Sequence, residues 1–238
     1  RGGSVESVSA LPSGKRLTES SMSQNLRKME YAVRGRVVIA ADRISDELRS
    51  DPSSHPFDHI VYTNIGNPHS VGQKALTWPR QVLALADLPE EVGVDHPDAA
   101  KLFPADAIER AREIKAGMGG HGTGAYSHSQ GVRCFREDVA NFIKERDGGV
   151  ECDPESLFLS NGASSAINML LQALIADETC GVMIPIPQYP IYSATIDLLG
   201  GQKVGYYLDE ESGWALNMAE LERSLAAAHD RGVKVNSF

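Results

Sequence analysis

The carboxyl-terminal third of the chain alternates short apolar runs with helical patterns, and this alternation constrains the fold more than any other feature. Apolar residues at 167–175 recur with the spacing of one helix face, between strand-like runs at 157–160 and 181–185. The other elements predicted here are a helix at 192–199, a strand at 203–208, a helix marked by Met218, Leu221 and Leu225, and a strand at 233–238. Strands and helices in this order form a mostly parallel sheet with crossover helices. The sequence therefore predicts an α/β fold.

Fewer strands are expected before residue 157. Helices are predicted to begin near Pro79 and Pro104, and another, with an apolar face over 135–143, is predicted to end at Gly148. Mixed helix and turn is expected at 24–48. A short strand is predicted at 60–65, ahead of a loop that Gly and Pro residues mark.

The turn that opens the helix after residue 160 is the first candidate binding element. Gly162, Ala163 and Ser164 are small, and they follow a predicted strand directly. Such a turn leaves backbone N–H groups and a hydroxyl at the positive end of the helix dipole, where a phosphate binds well. A simple helix N-cap would use the same residues.

Tyr189 is the second candidate binding element. It stands between Pro187 and Pro190, just after a predicted buried strand, so a stiff backbone directs its ring. The ring could stack on an electron-poor pyridine, although a tyrosine packed in the core is the alternative. Both candidate elements follow the carboxyl ends of strands, where α/β sheets bind their ligands.

Composition excludes several classes of partner. The formal charge of −9 and a pI of 5.3 argue against binding to nucleic acid or to an anionic membrane, which requires a basic face. The three cysteines are far apart, and Pro56 separates the closely spaced His55 and His59, so we expect neither disulfides nor a metal site. The glycine-rich run at 117–122 fits a dinucleotide-binding pattern, but it follows a helix and is interpreted as a loop.

The two ends of the chain suggest a piece of a larger protein. The chain begins without Met and stops within a strand-like run. Residues 1–28 carry five Lys or Arg, two acidic residues and seven Ser. They are expected to form a flexible tail or the end of a transit peptide, and the compartment is left open between cytoplasm and mitochondrion.

Five sequence blocks, in the same order along the chain, resemble the alanine aminotransferases, a family of fold-type I pyridoxal-phosphate enzymes. The blocks are 62–68, 79–85, 124–131, 159–164 and 187–195. The resemblance runs from about residue 26 to residue 238, roughly the amino-terminal half of a family subunit. It implies a three-layer sandwich with a mostly parallel central sheet, incomplete here, plus a segment of the small domain.

The resemblance also implies roles for individual residues. Ala163 and Ser164, in the turn that Gly162 opens, would bind the phosphate of the cofactor, pyridoxal 5'-phosphate, and Tyr189 would stack on its pyridine ring. The backbone of 65–66 (Ile65 and Gly66) would approach the carboxylate of the substrate. Tyr126 would reach the phosphate of the partner subunit in a homodimer.

The implied domains are a flexible tail at 1–28, an N-terminal arm with a small-domain segment at 29–100, and the first part of the cofactor-binding domain at 101–238. The Schiff-base lysine of the family would lie beyond Phe238, because no lysine of this chain has a matching context. We therefore expect no catalytic residue in this chain and no activity of the chain alone.

The implied reaction moves the amino group of L-alanine to 2-oxoglutarate and gives pyruvate and L-glutamate. A glutamate:glyoxylate aminotransferase, another fold-type I enzyme such as a lyase, and a non-catalytic binding module stay open as alternatives.

Overall fold

The computed structural model describes residues 17–31, 33, 35–120 and 122–237. Most of the predicted 1–28 tail, residues 1–16, lies outside the described residues. The helices are α1 (Gln24–Lys28), α2 (Arg36–Ser50), α3 (Thr77–Asp87), α4 (Ala99–Leu102), α5 (Ala105–Gly117), α6 (Arg133–Arg146), α7 (Gly162–Leu174), α8 (Ile191–Leu199) and α9 (Met218–Asp230). The strands are β1 (Cys180–Ile186), β2 (Gln202–Tyr207) and β3 (Lys234–Ser237).

The chain divides into two compact units. Unit 1 combines the described parts of Arg1–Asn64 and Ala166–Phe238, and unit 2 is Ile65–Ser165. The domain boundaries predicted at residues 28 and 100 stay predictions.

Unit 1 contains a parallel sheet in the order β2-β1-β3. Neighbouring residues of β1 point to opposite faces of the sheet. Val182 and Ile184 accordingly pack with Leu171 of α7 and Ile196 of α8. Met183 belongs to a separate cluster that includes Val204, Ala228 and Val233. The sheet is thus covered by helices on both faces, and the predicted α/β fold is confirmed for this unit.

Two of the predicted strands are wrong. Residues 60–65 and 157–160 contain no strand in the structure, although the helices and strands predicted after residue 160 are present. Val61 and Phe158 are exposed, and Leu159 N–H donates to Gln130 O (2.8 Å), which belongs to a loop and not to a strand. Among the described residues, these short apolar runs pair with no adjacent strand.

Unit 2 is helical, and its core lies where α3 packs against α5. The buried residues of this core are Val82, Leu85, Ala86, Val94, Ala99, Ala107, Ile108, Ala111 and Ile114. Phe135 of α6 packs on the same cluster. No helix of the described residues has the length and apolar character needed to cross a membrane.

A buried lysine of α5 forms hydrogen bonds at the carboxyl end of α3. Lys115 is 6% exposed, and its Nζ donates to Leu88 O (2.5 Å) and Ala86 O (3.3 Å). A cation at the carboxyl end of a helix interacts favourably with the helix dipole and satisfies carbonyls that have no helical partner. Lys115 therefore has a structural role in unit 2.

Replacing Lys115 with Met is expected to lower the free energy of unfolding by about 2 kcal/mol, because two inward-facing carbonyls lose their charged donor. Urea unfolding followed by circular dichroism measures this loss. Lys101→Met is the matched control, since the Lys101 side chain is 77% exposed and pairs with Asp98 at the surface. Equal stability of the two variants would contradict the structural role of Lys115.

Candidate functional site

The turn at the start of α7 begins with a left-handed glycine and is open on one side. Gly162 has a φ of +80°, in the left-handed region that favours glycine. Its N–H donates to Ser160 O (2.9 Å), and Ser160 Oγ donates to Gly162 O (3.0 Å). A Cβ added at Gly162 would meet no atom within 4 Å. The turn is therefore fixed by Ser160 and open on its outer side.

The charge of this turn also suits an anion. The residues 162–164 are exposed, and the first turn of α7 contains no acidic residue. A helix of 13 residues places a partial positive charge at this end. The residues present fit a phosphate group. This fit supports phosphate binding by Gly162, Ala163 and Ser164, which stays a prediction.

Tyr126 lies in the loop between α5 and α6. Its side chain is fully exposed, and it lines a cavity of about 330 Å³ with Ser127, His128 and Arg133. The loop ends at Gly131, whose N–H donates to His128 O (2.8 Å). An exposed phenol at the tip of an anchored loop is free to contact another molecule, as the prediction for Tyr126 requires.

The end of the Tyr126 loop contacts the segment that leads to the 162–164 turn. Leu159 N–H donates to Gln130 O (2.8 Å), and a Cβ added at Gly131 would lie 2.8 Å from the Leu159 side chain. Gly131 also has a φ of +107°, so a larger residue would be strained there for two reasons. The structure thus brings together the bases of two predicted phosphate-binding elements within unit 2.

Tyr189 belongs to unit 1 and lies in the loop between β1 and α8. Its hydroxyl is 2.9 Å from the hydroxyl of Tyr31, and the two rings meet edge to face with centroids 6.3 Å apart. Tyr189 is 52% exposed. This exposure argues against a core tyrosine and leaves much of the ring accessible to a ligand.

Polar contacts hold the loop that carries Tyr189. Gln188 Nε2 donates to Ser193 Oγ (2.9 Å), and Ser193 Oγ donates to Pro190 O (3.2 Å). The Tyr31 contact was missed at the level of sequence, because nothing in the pattern around Tyr31 indicates a partner so far along the chain. Tyr31, which lies between α1 and α2, is therefore part of the Tyr189 environment.

Ile65 and Gly66 are exposed at the start of unit 2. A Cβ added at Gly66 would meet no atom within 4 Å, so the backbone there is open to a ligand. Just before them, in unit 1, the Tyr62 hydroxyl donates to Asp42 Oδ1 (2.9 Å). That hydrogen bond to a carboxylate raises the pKa of Tyr62.

The candidate residues are thus distributed over both units. Unit 2 contains the 162–164 turn, Tyr126 and the 65–66 backbone, and unit 1 contains Tyr189. The predicted meeting of the turn and Tyr189 around one ligand stays a prediction.

A profile of the family described as aminotransferase class I and II matches residues 94–237. An inactive alanine aminotransferase of Saccharomyces cerevisiae is 45% identical over 225 residues, which are 94% of this chain and 44% of the yeast protein. Alanine aminotransferase 2, mitochondrial, of Arabidopsis thaliana is 43% identical over 233 residues, which are 98% of this chain and 42% of that protein. The chain spans less than half the length of these relatives.

Among solved structures, an alanine aminotransferase from Pyrococcus furiosus superimposes with a TM-score of 0.59 at 19% identity. The match covers 85% of this chain and 40% of that one. At this level of identity the likeness concerns the fold, and it agrees with the α/β architecture of unit 1.

Proposed function

This chain belongs to the aminotransferase class I and II family, and from that premise we propose that the whole protein is an alanine aminotransferase. It would transfer the amino group of L-alanine to 2-oxoglutarate, giving pyruvate and L-glutamate, with pyridoxal 5'-phosphate as cofactor. The observation that carries the proposal is the open turn at Gly162, which has a left-handed backbone, no acidic neighbour in its helix turn, and space on its outer side.

In this proposal, residues of unit 2 bind the anionic groups of the ligands. Gly162 shapes the turn, its N–H donating to Ser160 O, and the backbone of Ala163 and the side chain of Ser164 hold the cofactor phosphate at the helix end. The backbone of 65–66 lies against the substrate carboxylate, where Gly66 presents no side chain.

Tyrosines supply the remaining contacts of the proposed site. Tyr189 stacks on the pyridine ring and excludes water from one face of it. Tyr126 donates its hydroxyl to the phosphate in the partner subunit of a homodimer, so that each site is completed by two chains.

Pyridoxal phosphate, when bound, supplies an electron sink for the electrons of the broken bond at the substrate α-carbon. The residues of this chain fix the position of that group and of the substrate carboxylate. The family resemblance implies a lysine that transfers the proton. We assign this role to no residue of this chain. The proposed compartment is the cytoplasm or the mitochondrion.

The yeast relative is named an inactive alanine aminotransferase, and its similarity favours a second candidate function. In this alternative, the protein keeps the family fold, and with it the phosphate turn, without catalysing transamination. Binding of pyridoxal phosphate without turnover distinguishes this candidate from the first.

Transamination by the whole protein is expected to favour pyruvate over glyoxylate as the acceptor of the amino group of L-glutamate by roughly tenfold or more in kcat/KM. Pyruvate carries one methyl group more than glyoxylate, and a pocket that accepts this methyl gains binding energy of that order. Product analysis with each acceptor measures the ratio.

Each outcome of this assay supports a different function. A preference for glyoxylate would replace the alanine assignment with a glutamate:glyoxylate aminotransferase. Elimination products in place of amino transfer would indicate a lyase. Cofactor binding with no product from any donor would leave the second candidate.

A further inference from the structure

The guanidinium of Arg136 is the centre of a buried hydrogen-bond network in unit 2. Arg136 is 3% exposed and lies in the first turn of α6. Its Nε donates to Gly131 O (3.1 Å), and one of its terminal nitrogens, NH1, donates to Pro154 O (2.7 Å). The same nitrogen lies 3.3 Å from Glu155 Oε1. The buried charge is therefore paired with a carboxylate, and the guanidinium donates to two main-chain carbonyls.

The two carbonyls belong to segments that lead to different parts of the candidate site. Gly131 ends the loop that carries Tyr126. Pro154 begins a short 3-10 helix, Pro154–Ser156, and residues 157–161 connect this helix to the 162–164 turn. Arg136 thus joins the base of the Tyr126 loop to the base of the turn.

Other contacts join the same two segments. Gln130 Nε2 donates to Glu155 O (2.8 Å), and Leu159 N–H donates to Gln130 O (2.8 Å). The close approach of Leu159 to Gly131 adds a packing contact beside them. Of the side chains in this junction, Arg136 is the one with a buried charge. Its loss would remove a charged donor from Gly131 O and from Pro154 O, which also accepts from Leu157 N–H (3.3 Å).

We propose that Arg136 is a positioning residue for phosphate binding: it holds the Tyr126 loop and the 162–164 turn in one fixed relation. This inference rests on the proposed function. In a homodimer it gives Arg136 an effect on two sites, because the turn binds the phosphate of its own subunit and Tyr126 reaches the phosphate of the partner.

The test compares two ligands that differ in the phosphate alone, pyridoxal phosphate and pyridoxal. Arg136→Met in the whole protein is expected to weaken pyridoxal phosphate binding by roughly tenfold to hundredfold, because the phosphate elements lose their common anchor. Binding of pyridoxal is expected to change less than about threefold. Equilibrium dialysis against each ligand measures both constants and does not depend on turnover.

Three further variants separate positioning from a general loss of structure. Gln130→Ala removes the neighbouring hydrogen bond from Gln130 Nε2 to Glu155 O and leaves the buried charge of Arg136 in place. It is expected to give a smaller loss of affinity, again confined to pyridoxal phosphate. Arg136→Lys keeps the charge and is expected to restore part of the affinity. Arg146→Met is the matched control on the same helix, where Arg146 is exposed and pairs with Asp147, and it should bind both ligands as the unmodified protein does.

The outcomes distinguish this inference from the proposed function. Equal losses for both ligands in Arg136→Met, or unchanged phosphate affinity in both Arg136→Met and Gln130→Ala, would overturn the positioning role alone. Failure of the unmodified protein to bind pyridoxal phosphate would overturn the proposed function and the positioning role with it.

Discussion

Replacing Ala163 with aspartate is expected to weaken pyridoxal phosphate binding by about hundredfold while the protein stays folded. Ala163 is exposed in the first turn of α7, where a carboxylate is favourable for the helix because of the dipole. The same carboxylate would lie beside the bound phosphate and repel it by a few kcal/mol. Dialysis of the whole protein against pyridoxal phosphate measures the affinity, and thermal unfolding measures the stability.

Two controls isolate the charge in this experiment. Ala163→Asn has nearly the shape of the aspartate variant without its charge, so it should lose little affinity. Ala219→Asp places the same substitution at the second residue of α9, which is also exposed and has no role in the proposed site. The loss in Ala163→Asp should also shrink at high ionic strength, since salt screens the repulsion. Full affinity of Ala163→Asp would exclude the turn as the phosphate site.

The periodicity of the sequence was sufficient to predict the elements after residue 160. The helix pattern at 167–175 and the apolar run at 181–185 correspond to α7 and β1, because burial on a sheet imposes a regular spacing. The runs at 60–65 and 157–160 have a similar apolar character, but a strand also needs a partner. A sequence pattern of this length carries no information on whether a neighbouring strand is present, and both predictions failed for that reason.

The residues of the candidate site also differ in whether the sequence alone could predict them. The turn at Gly162 was predictable because small residues at a helix start have a local physical meaning. Arg136 was not, since it stands among charged residues of α6 that resemble a solvated helix face. Its burial depends on Gly131 and Pro154, which reach it only in the folded chain. Tyr31 was missed for the same reason, because its contact with Tyr189 is made across 158 positions of the chain.

Loss of the Ile196 side chain is expected to give the largest change in stability. Ile196 of α8 is fully buried and packs with Leu171, Val182 and Ile184 against one face of β1. Ile196→Ala removes three buried carbon atoms and leaves a cavity in a close-packed core, which lowers the free energy of unfolding by about 3 to 4 kcal/mol. Urea unfolding of the whole protein, followed by circular dichroism, measures the loss.

A neighbouring residue of α8 supplies the control for Ile196. Leu198 is 37% exposed, so Leu198→Ala is expected to cost less than about 1 kcal/mol, although it removes the same number of carbon atoms. The comparison also concerns the site, because α8 begins two residues after Tyr189 and its packing on β1 fixes the base of that loop. If both alanine variants were equally stable, the packing of α8 on β1 would be wrong, and the position of Tyr189 at the end of β1 would lose its support.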